Sequence, residues 1–151
     1  MKKSRPRILI YGYGNPGRLD DGLGPALADA VEKLGLPGVD VESNYQLQAE
    51  DAHTVAGYDA VIFADADING KEPFDFRSIR SGVQTSFTSH SFEPQEVMKL
   101  AKELFGAKTR GYIIGIRGYE FNEFGEKISP KAAANLKKSV KFVRDAVKTG
   151  L

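Results

Sequence analysis

Residues 8–34 constrain the fold of this chain more than any other stretch. An apolar run at residues 8–11 (Ile-Leu-Ile-Tyr) leads into a glycine-rich turn that closes with two adjacent carboxylates, Asp20 and Asp21. Apolar residues then recur at the i, i+3, i+4, i+7 spacing of an amphipathic helix. The stretch therefore predicts a strand, a loop and a helix. The loop falls at the carboxyl end of the strand, where open α/β sheets bind their ligands.

Strand and helix patterns alternate through the rest of the chain. Strands are predicted at residues 7–13, 39–43, 60–64, 74–79 and 112–116, with 83–87 competing for the place of 74–79. Helices are predicted at residues 21–33, 48–55, 94–105 and 130–149, the last with Ser129 as its capping residue. This order predicts one α/β domain over residues 1–151, with three layers. Its five-stranded twisted sheet is mostly parallel and has helices on both faces.

Composition excludes several classes of protein. The 151 residues carry 21 Lys and Arg against 20 Asp and Glu, a net charge of +1, so no broadly basic face for nucleic acid or membrane surfaces is expected. No stretch approaches the ~18 apolar residues of a membrane span. The absence of cysteine excludes disulfides, thiolate metal sites and cysteine nucleophiles. We therefore expect a cytoplasmic protein; the oligomeric state stays open, with a monomer the simplest expectation.

Three titratable residues fall at predicted strand ends or in the loops that follow: Asp21, Asp65 and His90. Two carboxylates and an imidazole suit a borderline divalent metal such as nickel or zinc. The structural alternative is that Asp20 or Asp21 caps the first helix, Asp65 opens a turn and His90 is a solvated loop residue.

Two further residues are weaker candidates for the same chemistry. His53 falls within a short predicted helix, where a helix-face role is favoured over metal ligation. Asp67 follows Asp65 by two residues, and a turn role before Asn69-Gly70 is favoured for it.

The opening glycines also match two other kinds of protein. Gly12-x-Gly14-x-x-Gly17 fits the dinucleotide fingerprint, but the Asp20-Asp21 pair places negative charge where pyrophosphate would sit. Residues 12–17, Gly-Tyr-Gly-Asn-Pro-Gly, also resemble the start of the bacterial peptidyl-tRNA hydrolases. That family continues to a Thr-Arg-His-Asn segment with its catalytic histidine, whereas residues 22–27 here are Gly-Leu-Gly-Pro-Ala-Leu.

Three segments in order resemble the hydrogenase maturation endopeptidases. These enzymes remove a C-terminal extension from the large subunit of nickel–iron hydrogenases. The segments are residues 12–24, with Gly-Tyr-Gly-Asn followed by Asp-Asp-Gly-Leu-Gly; 61–66, an apolar strand that ends in Ala-Asp-Ala; and 89–91, Ser-His-Ser, before a helix. The resemblance implies a phosphorylase/hydrolase-like α/β fold and endopeptidase activity on the hydrogenase precursor.

The same resemblance implies a metal site. The metal-contacting positions of the family fall on Asp21, Asp65 and His90, with Asn15 and Asp20 as supporting loop residues. The nickel is expected to arrive bound to the precursor, so no tightly bound resident metal is expected. Residues 45–52 depart from the substrate-side segment of many members and look more like the branch that processes NAD-linked hydrogenases. A non-catalytic chaperone for the nickel-loaded precursor would use the same ligands and stays an alternative.

Overall fold

The computed structural model describes residues 5–80 and 92–151. In this part of the chain the strands are β1 Ile8–Tyr13, β2 Val39–Asn44, β3 Ala60–Asp67, β4 Phe74–Ser78 and β5 Arg110–Arg117. The α-helices are α1 Leu23–Leu34, α2 Asp51–Ala56, α3 Pro94–Phe105 and α4 Pro130–Thr149. Their order along the chain is the predicted one.

The five strands form one sheet in the order β2-β1-β3-β5-β4. β1 pairs in parallel with β2 and β3, and β3 pairs in parallel with β5. β4 is an edge strand that runs antiparallel to β5. The mostly parallel five-stranded sheet is therefore confirmed, and residues 74–78 supply the edge strand. The competing segment 83–87 lies outside the described residues.

Each face of the sheet has its own apolar core, because successive side chains of a strand point to opposite faces. Ile8, Ile10 and Ile62 share one core with buried residues of α1 and α4. Leu9 and Phe63 share the other with buried residues of α2 and α3. The prediction of helices on both faces is confirmed.

The first helix begins later than predicted. A 3-10 helix at Leu19–Gly22 precedes α1, which starts at Leu23 rather than at residue 21. Neither helix start has a side-chain cap, because the carboxylates of Asp20 and Asp21 form hydrogen bonds elsewhere. The interpretation of either aspartate as the cap of the first helix is therefore wrong.

Two glycines bring the start of α1 against the ends of the central strands. A Cβ at Gly12 would lie 2.1 Å from the carbonyl oxygen of Gly24. A Cβ at Gly24 would lie 2.4 Å from the carbonyl oxygens of both Tyr13 and Ala64. Since the obstructing atoms belong to the backbone, no side-chain movement would make room. The glycines of this stretch thus set how closely α1 packs on β1 and β3.

We expect Gly12→Ala to lower the free energy of unfolding by about 1–3 kcal/mol, because overpacking forces the backbone of α1 away from β1. Chemical denaturation measures the change. Gly57→Ala is the matched control, since its new Cβ would make an ordinary contact 3.5 Å from the Thr54 carbonyl oxygen. Equal unfolding free energies for the two variants would contradict the close-packing interpretation.

Candidate functional site

The loop between β1 and α1 folds back on itself and holds the side chain of Asp21. The backbone N–H of Asn15 donates to Oδ2 of Asp21 at 2.9 Å, and the N–H of Gly17 donates to Oδ1 of Asn15 at 2.9 Å. Gly14 has a φ of +139°, and a Cβ there would lie 2.2 Å from the Asp21 carbonyl oxygen. Asp21 is partly exposed and has one carboxylate oxygen engaged by the loop.

Asp20 is fully buried at 0% exposure, and both of its oxygens are used. Its Oδ1 accepts the N–H of Ser129 at 2.8 Å. Its Oδ2 accepts the hydroxyl of Ser129 at 2.7 Å and the N–H groups of Tyr119 and Glu120 at 2.8 and 3.0 Å. Burial alone would raise the pKa of Asp20, but these hydrogen bonds outweigh it and hold the pKa below its usual value. The carboxylate fastens the site loop and is not accessible to a ligand.

Backbone hydrogen bonds join the same two segments, residues 17–20 and 118–129. Leu19 N–H donates to Gly125 O at 2.9 Å, Gly125 N–H donates to Gly17 O at 2.7 Å, and Asp20 N–H donates to Glu120 O at 2.9 Å. Residues 118–129, the segment after β5, therefore hold the loop that carries Asp21 in place, and we call this segment the brace.

Ser129 corrects a prediction about α4. It occupies the N-cap position before Pro130, as predicted, but its side chain makes no capping hydrogen bond. Its hydroxyl donates to Asp20 instead. The hydroxyl proton thus binds a buried carboxylate, and a hydrogen bond to a charged group is stronger than a neutral one.

Asp65 lies within β3, which extends to Asp67 rather than ending at residue 64 as predicted. The extension pairs Asp65 with Gly115 and Asp67 with Arg117 of β5. This backbone pairing keeps the two aspartates in strand conformation. Asp65 is at 0% exposure, and its Oδ1 accepts the N–H of Ala66 at 2.8 Å. A buried carboxylate is costly without partners, so its position at the end of the central strand calls for specific contacts.

The fold brings Asp21 and Asp65 to the same edge of the sheet. β1 and β3 are adjacent and parallel, so their carboxyl ends coincide, and the 3-10 helix that contains Asp21 contacts β3. His90, the third predicted ligand, lies outside the described residues, four positions before α3 begins at Pro94. Within residues 5–80 and 92–151, no three histidine, aspartate or glutamate side chains are grouped closely enough to hold a metal ion. The three-ligand set therefore stays a prediction.

The two weaker candidates have the favoured structural roles. His53 is exposed on α2, with its ring edge-on to Phe105 at 5.2 Å between centroids. Asp67 accepts the N–H of Asn69 at 3.1 Å, as expected of a turn residue, and the backbone of Gly70 packs against its carboxylate.

Sequence reasoning missed Tyr13 as a residue of this edge. The predicted first strand, residues 7–13, includes Tyr13 but gives no role to its hydroxyl, which is influenced by the charge of Asp65. Burial raises the pKa of Tyr13, and the nearby charge of Asp65 raises it further, with a smaller effect from Glu93. The available signal was a side chain with a polar tip as the last residue of a buried strand.

Similarity to known proteins is visible in the fold. No protein-family model matches the sequence, and no curated protein matches it. HycI, a NiFe hydrogenase maturation protease from Thermococcus kodakarensis, superposes with a TM-score of 0.74 at 22% identity, over 95% of this chain and 93% of that one. The hydrogenase maturating endopeptidase HybD from E. coli gives a TM-score of 0.77 at 19% identity, over 95% and 94% of the two chains.

The fold is that of the hydrogenase maturation proteases. HybD from Thermococcus kodakarensis, a third such protease, gives a TM-score of 0.76 at 20% identity over 93% of this chain and 99% of its own. The hydrogenase maturation protease fold thus spans nearly all of this chain, with the loop of Asp21 and the end of β3 inside it. In the part of the chain that the structure describes, no helix has both the length and the apolar character needed to span a membrane.

Proposed function

We propose that this protein is an endopeptidase that removes the C-terminal extension of a nickel-loaded hydrogenase large-subunit precursor. The observation that carries the proposal is the meeting of Asp21 and Asp65 at one sheet edge, in a fold shared with hydrogenase maturation proteases. The sequence resemblance to the hydrogenase maturation endopeptidases implies the same two residues, Asp21 and Asp65, as metal contacts. Shared fold, site chemistry and ordered sequence segments all favour one activity.

In this proposal the nickel is part of the substrate. Asp21, Asp65 and His90 contact the nickel of the precursor and hold the scissile peptide bond against it. A metal in that position polarises the peptide carbonyl or activates water. Water adds to the carbonyl carbon, the C–N bond breaks, and the products are a new carboxyl terminus and a released peptide with a free amine. Precursor without nickel lacks this anchor and is rejected.

The two carboxylates are suited to different parts of this task. Asp21 is partly exposed on a loop that its own hydrogen bond to Asn15 holds in place, so a bulky substrate can reach it. Asp65 is buried near the end of the central strand, where its backbone is held by pairing with Gly115 of β5. A fixed carboxylate and an accessible one, both oxygen donors, are compatible with a divalent ion presented from outside.

We expect the purified protein to shorten nickel-loaded precursor and to leave nickel-free precursor intact, because recognition depends on the metal. Gel electrophoresis of the precursor after incubation, with and without nickel loading, measures this. Nickel-loaded precursor that binds the protein in a pull-down but keeps its full length would contradict the proposal and indicate a chaperone. Equal cleavage of both forms would contradict the role of nickel.

A further inference from the structure

Phe124 exposes an aromatic side chain beside the loop that carries Asp21. It is at 87% exposure, the highest value among the large apolar side chains of residues 5–80 and 92–151. A single exposed apolar residue carries little meaning by itself, since folded proteins have many. Phe124, however, belongs to the brace, whose Tyr119, Phe121 and Ile128 pack against the core. Its place on the surface is therefore fixed by the segment around it.

The residue that follows Phe124 is bonded directly to the site loop. The N–H of Gly125 donates to Gly17 O at 2.7 Å, and the N–H of Leu19 donates to Gly125 O at 2.9 Å. These residues form a parallel β-bridge between Gly125 and Arg18. The exposed aromatic residue is thus one position away from a backbone contact with the loop.

Arg18 adds a positive charge at the same place. It is exposed, and within the described residues its guanidinium group has no ion-pair partner, whereas Arg7, Arg77 and Arg144 each pair with a nearby aspartate. A guanidinium group can bind a carboxylate through two parallel hydrogen bonds. Arg18 is therefore suited to an acidic group that arrives from outside the chain.

We propose that Arg18 and Phe124 bind the precursor polypeptide beside the scissile bond. The inference rests on the proposed function, in which Asp21 contacts the nickel of the precursor. The precursor segment that fits carries an apolar side chain, which packs on Phe124, next to an acidic side chain, which pairs with Arg18. Aromatic residues and arginine are enriched among the residues that dominate protein–protein affinity, and a rigid position lowers the entropy cost of binding.

The first test compares KM with kcat. Phe124→Ala and Arg18→Gln should each raise KM for nickel-loaded precursor about 5–30-fold and leave kcat near the wild-type value, because neither residue contacts the reacting atoms. A wild-type KM for either variant would overturn the role of that residue.

Leu104→Ala and Arg110→Gln are the matched controls. Leu104 is 66% exposed near the end of α3. Arg110 is exposed at the start of β5, where the strand begins at the other edge of the sheet. Each control removes the same kind of exposed side chain far from the site loop, so both should keep the wild-type KM.

The second test uses the absence of tryptophan from the chain. Phe124→Trp keeps an aromatic ring and places a single fluorescent reporter at this position. Its emission should shift to shorter wavelengths on mixing with nickel-loaded precursor, because the indole ring leaves water. Wild-type protein mixed with the precursor gives the fluorescence of the precursor itself, and Leu104→Trp should show no shift.

The fluorescence readout separates this inference from the proposed function. Precursor that binds in a pull-down but keeps its full length would show that the proposed function is wrong. A shifted Phe124→Trp emission in that mixture would still support the contact with the precursor. An unshifted emission with bound precursor would overturn the inference.

Discussion

Replacement of Asp21 by asparagine should abolish cleavage of the nickel-loaded precursor while the fold stays intact. Asparagine keeps the size of the side chain and an oxygen that can accept the Asn15 N–H, which donates to Asp21 at 2.9 Å. It removes the negative charge that, in the proposed function, contacts the nickel of the precursor. Loss of one preorganised electrostatic group lowers turnover by about 10²–10³-fold. The same loss is expected for His90→Ala, the third residue of the predicted ligand set.

Cleavage rate under saturating precursor measures the effect, and thermal unfolding confirms that the variant is folded. Asp29→Asn is the matched control, because Asp29 is an exposed aspartate on α1 that pairs with Lys33 at 3.2 Å. That variant should cleave at the wild-type rate. Full activity of Asp21→Asn would refute the assignment of Asp21 as a metal contact.

Asp20→Ala should have the largest effect on stability of any change in the site loop. The substitution leaves the N–H groups of Tyr119, Glu120 and Ser129 and the hydroxyl of Ser129 without their acceptor. A buried donor left without its acceptor costs about 1–3 kcal/mol, and the substitution leaves four such donors. Urea denaturation measures the free energy of unfolding. A loss below about 1 kcal/mol, which is the contribution of a single hydrogen bond, would contradict the role of Asp20 in holding the site loop in place.

The pH dependence of stability gives a second readout on Asp20. Its hydrogen bonds hold the pKa in the folded protein below the usual value, which is about 3.9 in an unfolded chain. The unfolded state therefore binds the proton more readily. The stability that Asp20 contributes is complete above the unfolded pKa and is lost as the pH falls through the folded pKa. The advantage of wild type over Asp20→Asn should shrink in that acidic range and be constant near neutrality.

The order of elements was predictable because local patterns determine it. Unbroken apolar runs indicated the buried strands, and amphipathic spacing indicated the helix that became α1. That helix ends at Gly35, which has the left-handed φ of 60° that is common after a helix. Parallel pairing followed from the alternation of strands and helices, and it brought Asp21 and Asp65 to one edge.

The brace of the site loop was not predictable from the sequence. Asp20 and Ser129 are 109 positions apart, and each has a plausible local role as a helix-capping residue. Only the folded chain shows that they bind each other. The same holds for the length of β3, whose last three residues include two aspartates and are kept in the strand by pairing with β5. Tertiary contacts overrode local preference at both places.

The most direct test of the central claim is the intact mass of nickel-loaded precursor before and after incubation with the wild-type protein. We predict that the precursor loses the mass of its C-terminal extension and that the released peptide appears in the same spectrum. Nickel-loaded precursor of unchanged mass, after incubation with protein shown to be folded, would contradict the claim.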